Sequence, residues 1–156
     1  MAHKIKFLWV GKLKERFWQD AASHYWKRLS RYFELKEAVL KDGPAQASRA
    51  EKIRIESRAI QSKLEAADYC ICLDSSGKNP TSPQLAKLLS SWIESPGQTP
   101  CFVLGGAHGL SSDLLRQSSF VLSLGGLTLP HELARILLLE QLYRAATIMH
   151  GHPYHH

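Results

Sequence analysis

Two hydrophobic periods alternate along this chain, and that alternation constrains its fold more than any other feature. KIKFLWV (4–10), YFELKEAVL (32–40), DYCICLD (68–74), PCFVLGG (100–106) and SFVLSLGG (119–126) read as strands. Helical spacing fills the intervals. ERFWQDAASHYWKRL (15–29) places Phe17, Ala21, Tyr25 and Leu29 on one face, and residues 48–67 carry a stripe of Ile53, Ile60 and Leu64, extended by Ala50 and Ala67. Ser82 reads as a helix cap with Pro83 in the first turn and Leu85, Leu88, Leu89 and Trp92 inside. SSDLLRQ supplies a short capped helix, and LPHELARILLLEQLYRAATIMH (129–150) a long closing one. Strands alternating with helices predict an α/β fold: a mainly parallel five-stranded sheet with helices on both faces. With no long linker or repeat, residues 1–156 read as a single domain with a short tail at 150–156.

The closing helix carries more apolar surface than one face can bury. Ile136, Leu137, Leu138 and Leu139 are consecutive and point right round the helix. With Leu133, Leu142, Tyr143, Ile148 and Met149, they leave only a narrow polar strip around Glu140 and Arg144. A second buried face implies a second copy of the chain, so a homodimer is expected.

No apolar run approaches the length of a membrane helix, and the run Phe7–Val10 is too short for a signal peptide core. Cys70, Cys72 and Cys101 lie in apolar strands and read as reduced core thiols, which points to the cytoplasm. The charge is lopsided. Residues 1–63 hold 15 Lys or Arg against 7 Asp or Glu, a net of +8, whereas 64–156 hold 5 against 7, a net of −2. A basic N-terminal part suits a polyanionic partner such as RNA.

In a parallel sheet, ligands bind beyond the carboxyl ends of the strands. Three such ends stand out: CLDSSGKNP, VLGGAHGLS and LSLGGLTLPH. Glycine pairs let backbone amides and carbonyls approach a ligand closely. There is no GxGxxG and no GxxxxGK[ST], and no charged residue lies between 97 and 112 or between 117 and 131. These loops suit an uncharged, adenosine-like group held by backbone and apolar walls.

LDSSGKNPTSPQLAKLL, VLGGAHGLS, LTLPHELARILLLEQLYRA and the HPYH ending together resemble the small single-domain SPOUT methyltransferases. Within that class they are similar to the bacterial family that methylates N3 of a pseudouridine in large-subunit (23S) ribosomal RNA. The resemblance spans the whole chain. It implies S-adenosylmethionine as methyl donor, no metal, a homodimer, large-subunit rRNA within the assembled ribosome as partner, and a C-terminal trefoil knot. Residue by residue it implies a donor site at Leu73, Gly105, Leu124, Gly125, Gly126, Leu127, Thr128 and Leu129. Gly125-Gly126 stand where the family pattern carries Ser followed by Ala or Lys, and His156 where it carries Lys or Arg.

The ending HGHPYHH has four histidines in seven residues. As a zinc site it would draw on His150, His152 and His155, but Pro153 stiffens the segment and no acid or cysteine is near in sequence. On the family pattern it is a catalytic tail folded over the donor pocket, with Tyr154, His155 and Arg144 near the target base. The competing class is a non-catalytic RNA-binding ribosome-assembly factor, which needs the basic N-terminal part but no donor.

Overall fold

In the computed structural model, which describes residues 2–156, the five strands are β1 (Lys4–Val10), β2 (Glu34–Leu40), β3 (Asp68–Lys78), β4 (Thr99–Leu104) and β5 (Phe120–Leu122). Between and after them run α1 (Arg16–Leu29), α2 (Arg49–Lys63), α3 (Ser82–Glu94), α4 (Ser112–Gln117) and α5 (His131–Met149). The strands form one sheet in the order β2-β1-β4-β3-β5, every neighbouring pair parallel. The expected α/β architecture is present.

Strand alternation divides the core into two layers. Ile5, Phe7 and Trp9 of β1, Ile71 and Leu73 of β3, and Phe102 and Leu104 of β4 point to one face, where α1, α3 and α5 cover them. Leu8, Val10, Cys70, Cys72, Cys101 and Val103 point to the other, where Ile60 of α2 and Leu114 of α4 close over them. All three cysteines are free and buried. Burial pushes the Cys101 thiol up to about 12, so it stays a protonated apolar filler at neutral pH.

Several boundaries moved for local reasons. Thr81, not Ser82, caps α3: its hydroxyl accepts from Gln84 N at 3.3 Å, and the Gln84 side chain accepts from Thr81 N at 2.8 Å. β3 continues to Lys78 because Gly77 lets it curl against β5, where a Cβ would collide with the Val121 carbonyl. β5 is only three residues long, since the Ser123 hydroxyl accepts from Gly125 N at 3.1 Å and turns the chain. α2 stops at Lys63, leaving Ala67 outside it, and Ala50 is exposed. Its buried face instead includes Glu56 and Ser57, which hold neighbouring loops by hydrogen bonds to Gly43 N and Ser111 N.

One expected core assignment changes, and the two faces of α5 become distinct. Phe17 is 61 % exposed, and the inner face of α1 is Ala22, Tyr25, Trp26 and Leu29. Leu138, Leu139 and Leu142 are fully enclosed within the chain, so they belong to the core. The partly covered outer strip of α5 holds Leu133, Leu137, Glu140 and Arg144, while Gln141 accepts from the Ser82 hydroxyl and Ile148 packs on the core. No described helix is long and apolar enough to cross a membrane.

Replacing Leu138 with Ala should cost about 2–5 kcal/mol in urea denaturation, because it empties a site between sheet and helix. Phe17→Ala should change stability by about 0.5 kcal/mol or less. Equal losses for the two would contradict this division of core and surface.

Candidate functional site

The connections leave the sheet in a pattern that opens a crevice. β3 hands over to α3 on one face, whereas β4 hands over to α4 on the other. At such a divergence the loops part and leave space above the carboxyl edge. A cavity of about 210 Å³ lies there. Its walls are Leu73 and Asp74 within β3, Leu104, Gly105 and Gly109 around β4, and the segment from Leu124 to Leu129 leading into α5.

Of the eight expected donor residues, Leu73, Gly105, Leu124, Gly125, Leu127, Thr128 and Leu129 line this cavity. Gly126 does not, although it lies between two that do. The walls suit an adenosine-like group: aliphatic surfaces interrupted by backbone. Gly109 (φ +84°) and Gly125 (φ +134°) need glycine for their conformation, and nothing lies within 4 Å of where their Cβ atoms would be. A side chain there would project into open space beside the backbone. Gly105 has the opposite role, since an added Cβ would sit 2.9 Å from the Gly109 carbonyl group and from Leu110. It lets the loop fold back tightly, which shapes the wall.

Sequence reasoning missed Asp74, the one carboxylate in the wall. It follows Leu73 in LDSSGK, outside the two glycine-pair loops that carry no charge. Asp74 accepts from Ser76 N at 3.0 Å and from the Ser76 hydroxyl, which holds it at the rim. A carboxylate so placed can accept from ribose hydroxyls.

Arg144, Tyr154 and His155 come together, but at the other end of α5. Arg144 donates to Glu140 at 2.9–3.0 Å, lies 4.8 Å over the Tyr154 ring and reaches His155 Nδ1 at 3.3 Å. Tyr154 meets Tyr143 edge to face, with ring centres 4.7 Å apart. The hydrogen bond to Glu140 raises the Arg144 pKa further, so its charge is permanent. Burial, then Glu140 and Tyr25, push the Tyr154 phenol above its ordinary value, so it can stack or donate but not act as a base near neutral pH.

The cavity begins beside His131 and Ala134 in the first turn of α5. At about 1.5 Å per residue, Arg144 lies about 20 Å along the helix from His131. Within one chain, then, the tail does not fold over the cavity as expected. It packs instead on the end of α1, where the Tyr32 hydroxyl shares a 2.5 Å hydrogen bond with His152 Nδ1. His150 Nδ1 donates to the Ala146 carbonyl at 2.9 Å. Among the described residues no three His, Cys, Asp or Glu side chains converge as a metal site.

Comparison with known proteins gives this geometry a context. A family model described as "Predicted SPOUT methyltransferase" matches residues 3–155. The chain belongs to the SPOUT methyltransferase family. Relatives named "Ribosomal RNA large subunit methyltransferase H" include one from Maridesulfovibrio salexigens, 50% identical over 153 residues and covering 98% of both chains. Those from Nitratidesulfovibrio vulgaris (strain Miyazaki F) and Lawsonia intracellularis are 43% and 41% identical over 152 residues, covering 97–98% of each chain.

Gly105→Ala should force the β4 loop apart at a cost of about 1–3 kcal/mol, lowering the melting temperature by about 3–10 °C. Gly126→Ala, whose Cβ meets nothing within 4 Å, should melt within about 2 °C of the parent. Reversed effects in a thermal melt would refute the account of the loop.

Proposed function

We propose that this chain transfers a methyl group from S-adenosylmethionine to N3 of a pseudouridine in large-subunit ribosomal RNA, acting as a homodimer. The observation that carries the reading is the backbone-lined cavity at the β3–β4 divergence, in a chain that aligns along nearly its whole length with ribosomal RNA methyltransferases. The trefoil knot is part of the same reading, as the family's way of passing the chain around 124–129 into α5.

A dimer resolves the separation of cavity and tail. Leu133 and Leu137 lie outside the chain's own apolar core, on the outward strip of α5. Two copies packed on that strip about a two-fold axis, with their α5 helices antiparallel, set the tail of one against the cavity of the other. Each active site then takes Leu73, Gly105 and 124–129 from one protomer and Arg144, Tyr154 and His155 from its partner.

S-adenosylmethionine in this cavity supplies an electrophilic methyl on a sulfonium sulfur, and no Lewis acid is needed. The imide N3 of the pseudouridine must lose its proton as it bonds to that methyl. In this reading His155 takes that proton on Nδ1, the lone pair that Arg144 holds in the free protein and releases as it turns to the RNA. Tyr154 offers a protonated ring for the extruded base to stack on. Arg144 keeps a guanidinium edge for a phosphate or a base carbonyl while Glu140 fixes its plane. Holding base and methyl in line supplies much of the acceleration. The whole surplus of Lys and Arg lies in residues 1–63, which offers phosphate contacts for the ribosomal substrate.

Mixed dimers test the shared site. Gly125→Val, which strains a positive φ in the cavity wall, should abolish donor binding in calorimetry and activity on ribosomes. Deletion of residues 152–156 should abolish activity while sparing donor binding. Refolded together in equal amounts, the two inactive proteins should recover about one quarter of wild-type activity, since half the dimers regain one intact site. An inactive mixture of stable dimers would refute a tail acting across the two-fold. Leu137→Glu should shift sedimentation toward the monomer and lower activity with it.

A further inference from the structure

β4 has a second neighbour whose connection diverges from its own. β1 passes to α1 on the face opposite α4, so the carboxyl edge opens on both sides of β4. The donor cavity occupies the β3 side. The β1 side holds a separate cavity of about 360 Å³, which touches the first through Ala107 and His131. It is built from the loops after β1 and β2 and from the side of α2. Lys12 and Lys14 stand exposed at its rim, Lys52 is half-buried, and His108 lines the β4 side. Asp42, Glu56 and Glu132 are its acidic groups.

Glu56 makes this more than a fold in the surface. It is 4 % exposed, and Oε2 accepts from Gly43 N at 2.7 Å. Oε1 has no hydrogen-bond partner among the described residues. A buried carboxylate oxygen left unmet costs stability, so a group that supplies its donor is bound the more tightly. Gly106 permits this placement, because a Cβ there would lie 2.9 Å from Glu56 Oε1.

We propose that this second crevice seats an unpaired nucleotide of the substrate RNA beside the one that is methylated. Its phosphate lies against Lys12, Lys14 and Lys52, and a base N–H or ribose 2′-hydroxyl donates to Glu56 Oε1. The proposal rests on the reading of the chain as a ribosomal RNA methyltransferase. A nucleotide matches the cavity's two characters: anionic at the end that continues along the polymer, and rich in donors at the end that is inserted. Three lysines, two of them at an open rim, exceed what the single carboxylate of the methyl donor's amino-acid end would use. The crevice also adjoins the donor cavity, the two sharing Ala107 and His131 in their walls.

The test uses full-length protein with intact ribosomes lacking the methyl group, and reads KM for ribosomes apart from the dissociation constant for S-adenosylmethionine. Glu56→Gln keeps an acceptor for Gly43 N and puts a donor where Oε1 was. It should raise KM for ribosomes about tenfold or more, with donor affinity within about twofold of the parent. Lys12→Gln with Lys52→Gln should also raise KM and flatten its dependence on salt by about one power per lysine. This pair carries the test if Glu56→Gln fails to fold. Unchanged KM in the folded variants would overturn the proposal and leave Glu56 as a brace for the β2 loop. Weakened donor binding with unchanged KM would also overturn it, assigning the crevice to the donor's amino-acid end. Wild-type protein that moves no methyl group to ribosomes would instead overturn the functional reading itself, and this proposal with it.

Discussion

The direction in which the chain leaves β4 is the constraint on which the rest of the structure depends. Its partners β1 and β3 both pass to helices on one face, while β4 alone among the three passes to the other. Because all pairings are parallel, the three carboxyl ends lie along one edge and their loops must part on either side of β4. Residues 105–109 therefore form a ridge with a cavity on each flank. The ridge itself must be thin. Gly105 abuts Gly109 and Leu110 on one side, and Gly106 abuts Glu56 and Val10 on the other, with no room for a Cβ at either. The glycine pair is thus a packing requirement before it is a ligand-binding device.

α5 ties this edge to the remainder of the chain. Its inner face fills the larger core layer with Leu138, Leu139, Leu142, Ala145 and Ala146, while its first turn borders the cavity and its last turn carries the tail. Helix geometry fixes the distance between those two ends, so one α5 cannot serve both functions in one site. Leu133 and Leu137, on the outside of the first half of the helix, are the apolar surface that the proposed second copy would cover.

Most of the fold was legible because period and punctuation agreed at nearly every element. Where they misled, a tertiary contact had overridden a local signal. Phe17 has the spacing of a core residue but falls in the exposed first turn of α1, while Trp26 packs on the core from the same helix. Ala50 and Ala67 fit an apolar stripe, but α2 buries Glu56 and Ser57 because loops after β2 and β4 need their hydrogen bonds. The site was legible to a different degree in its two halves. Seven of the eight expected donor residues line one cavity, because they sit in β3 or just past the ends of β4 and β5 at the carboxyl edge. The clustering of Arg144, Tyr154 and His155 was equally expected, but its distance from the cavity follows from helix length rather than from residue type. The second crevice left no motif, since its lysines and carboxylates come from four separate segments.

Two buried charged residues connect these parts, and their cost is informative. Arg135, 5 % exposed, donates to the Gly11 carbonyl at 2.7 Å and lies 4.8 Å over the Trp9 ring, whose Nε1 donates to Glu37 at 2.6 Å. Burial lowers the Arg135 pKa, and the attraction of Glu37, Glu132 and Asp42 opposes that shift. A leucine at 135 would satisfy the core more cheaply. The guanidinium instead anchors the start of α5 to the loop after β1, as Glu56 anchors the loop after β2 to α2. These two contacts set the walls on which Lys12, Asp42 and His131 are mounted. Without them the β1 and β2 loops would be held to the body mainly by strand ends, and the crevices beside β4 would have no fixed width. The chain therefore spends polar burial at the carboxyl edge, where geometry must be held, and fills the layers beneath it almost entirely with apolar side chains.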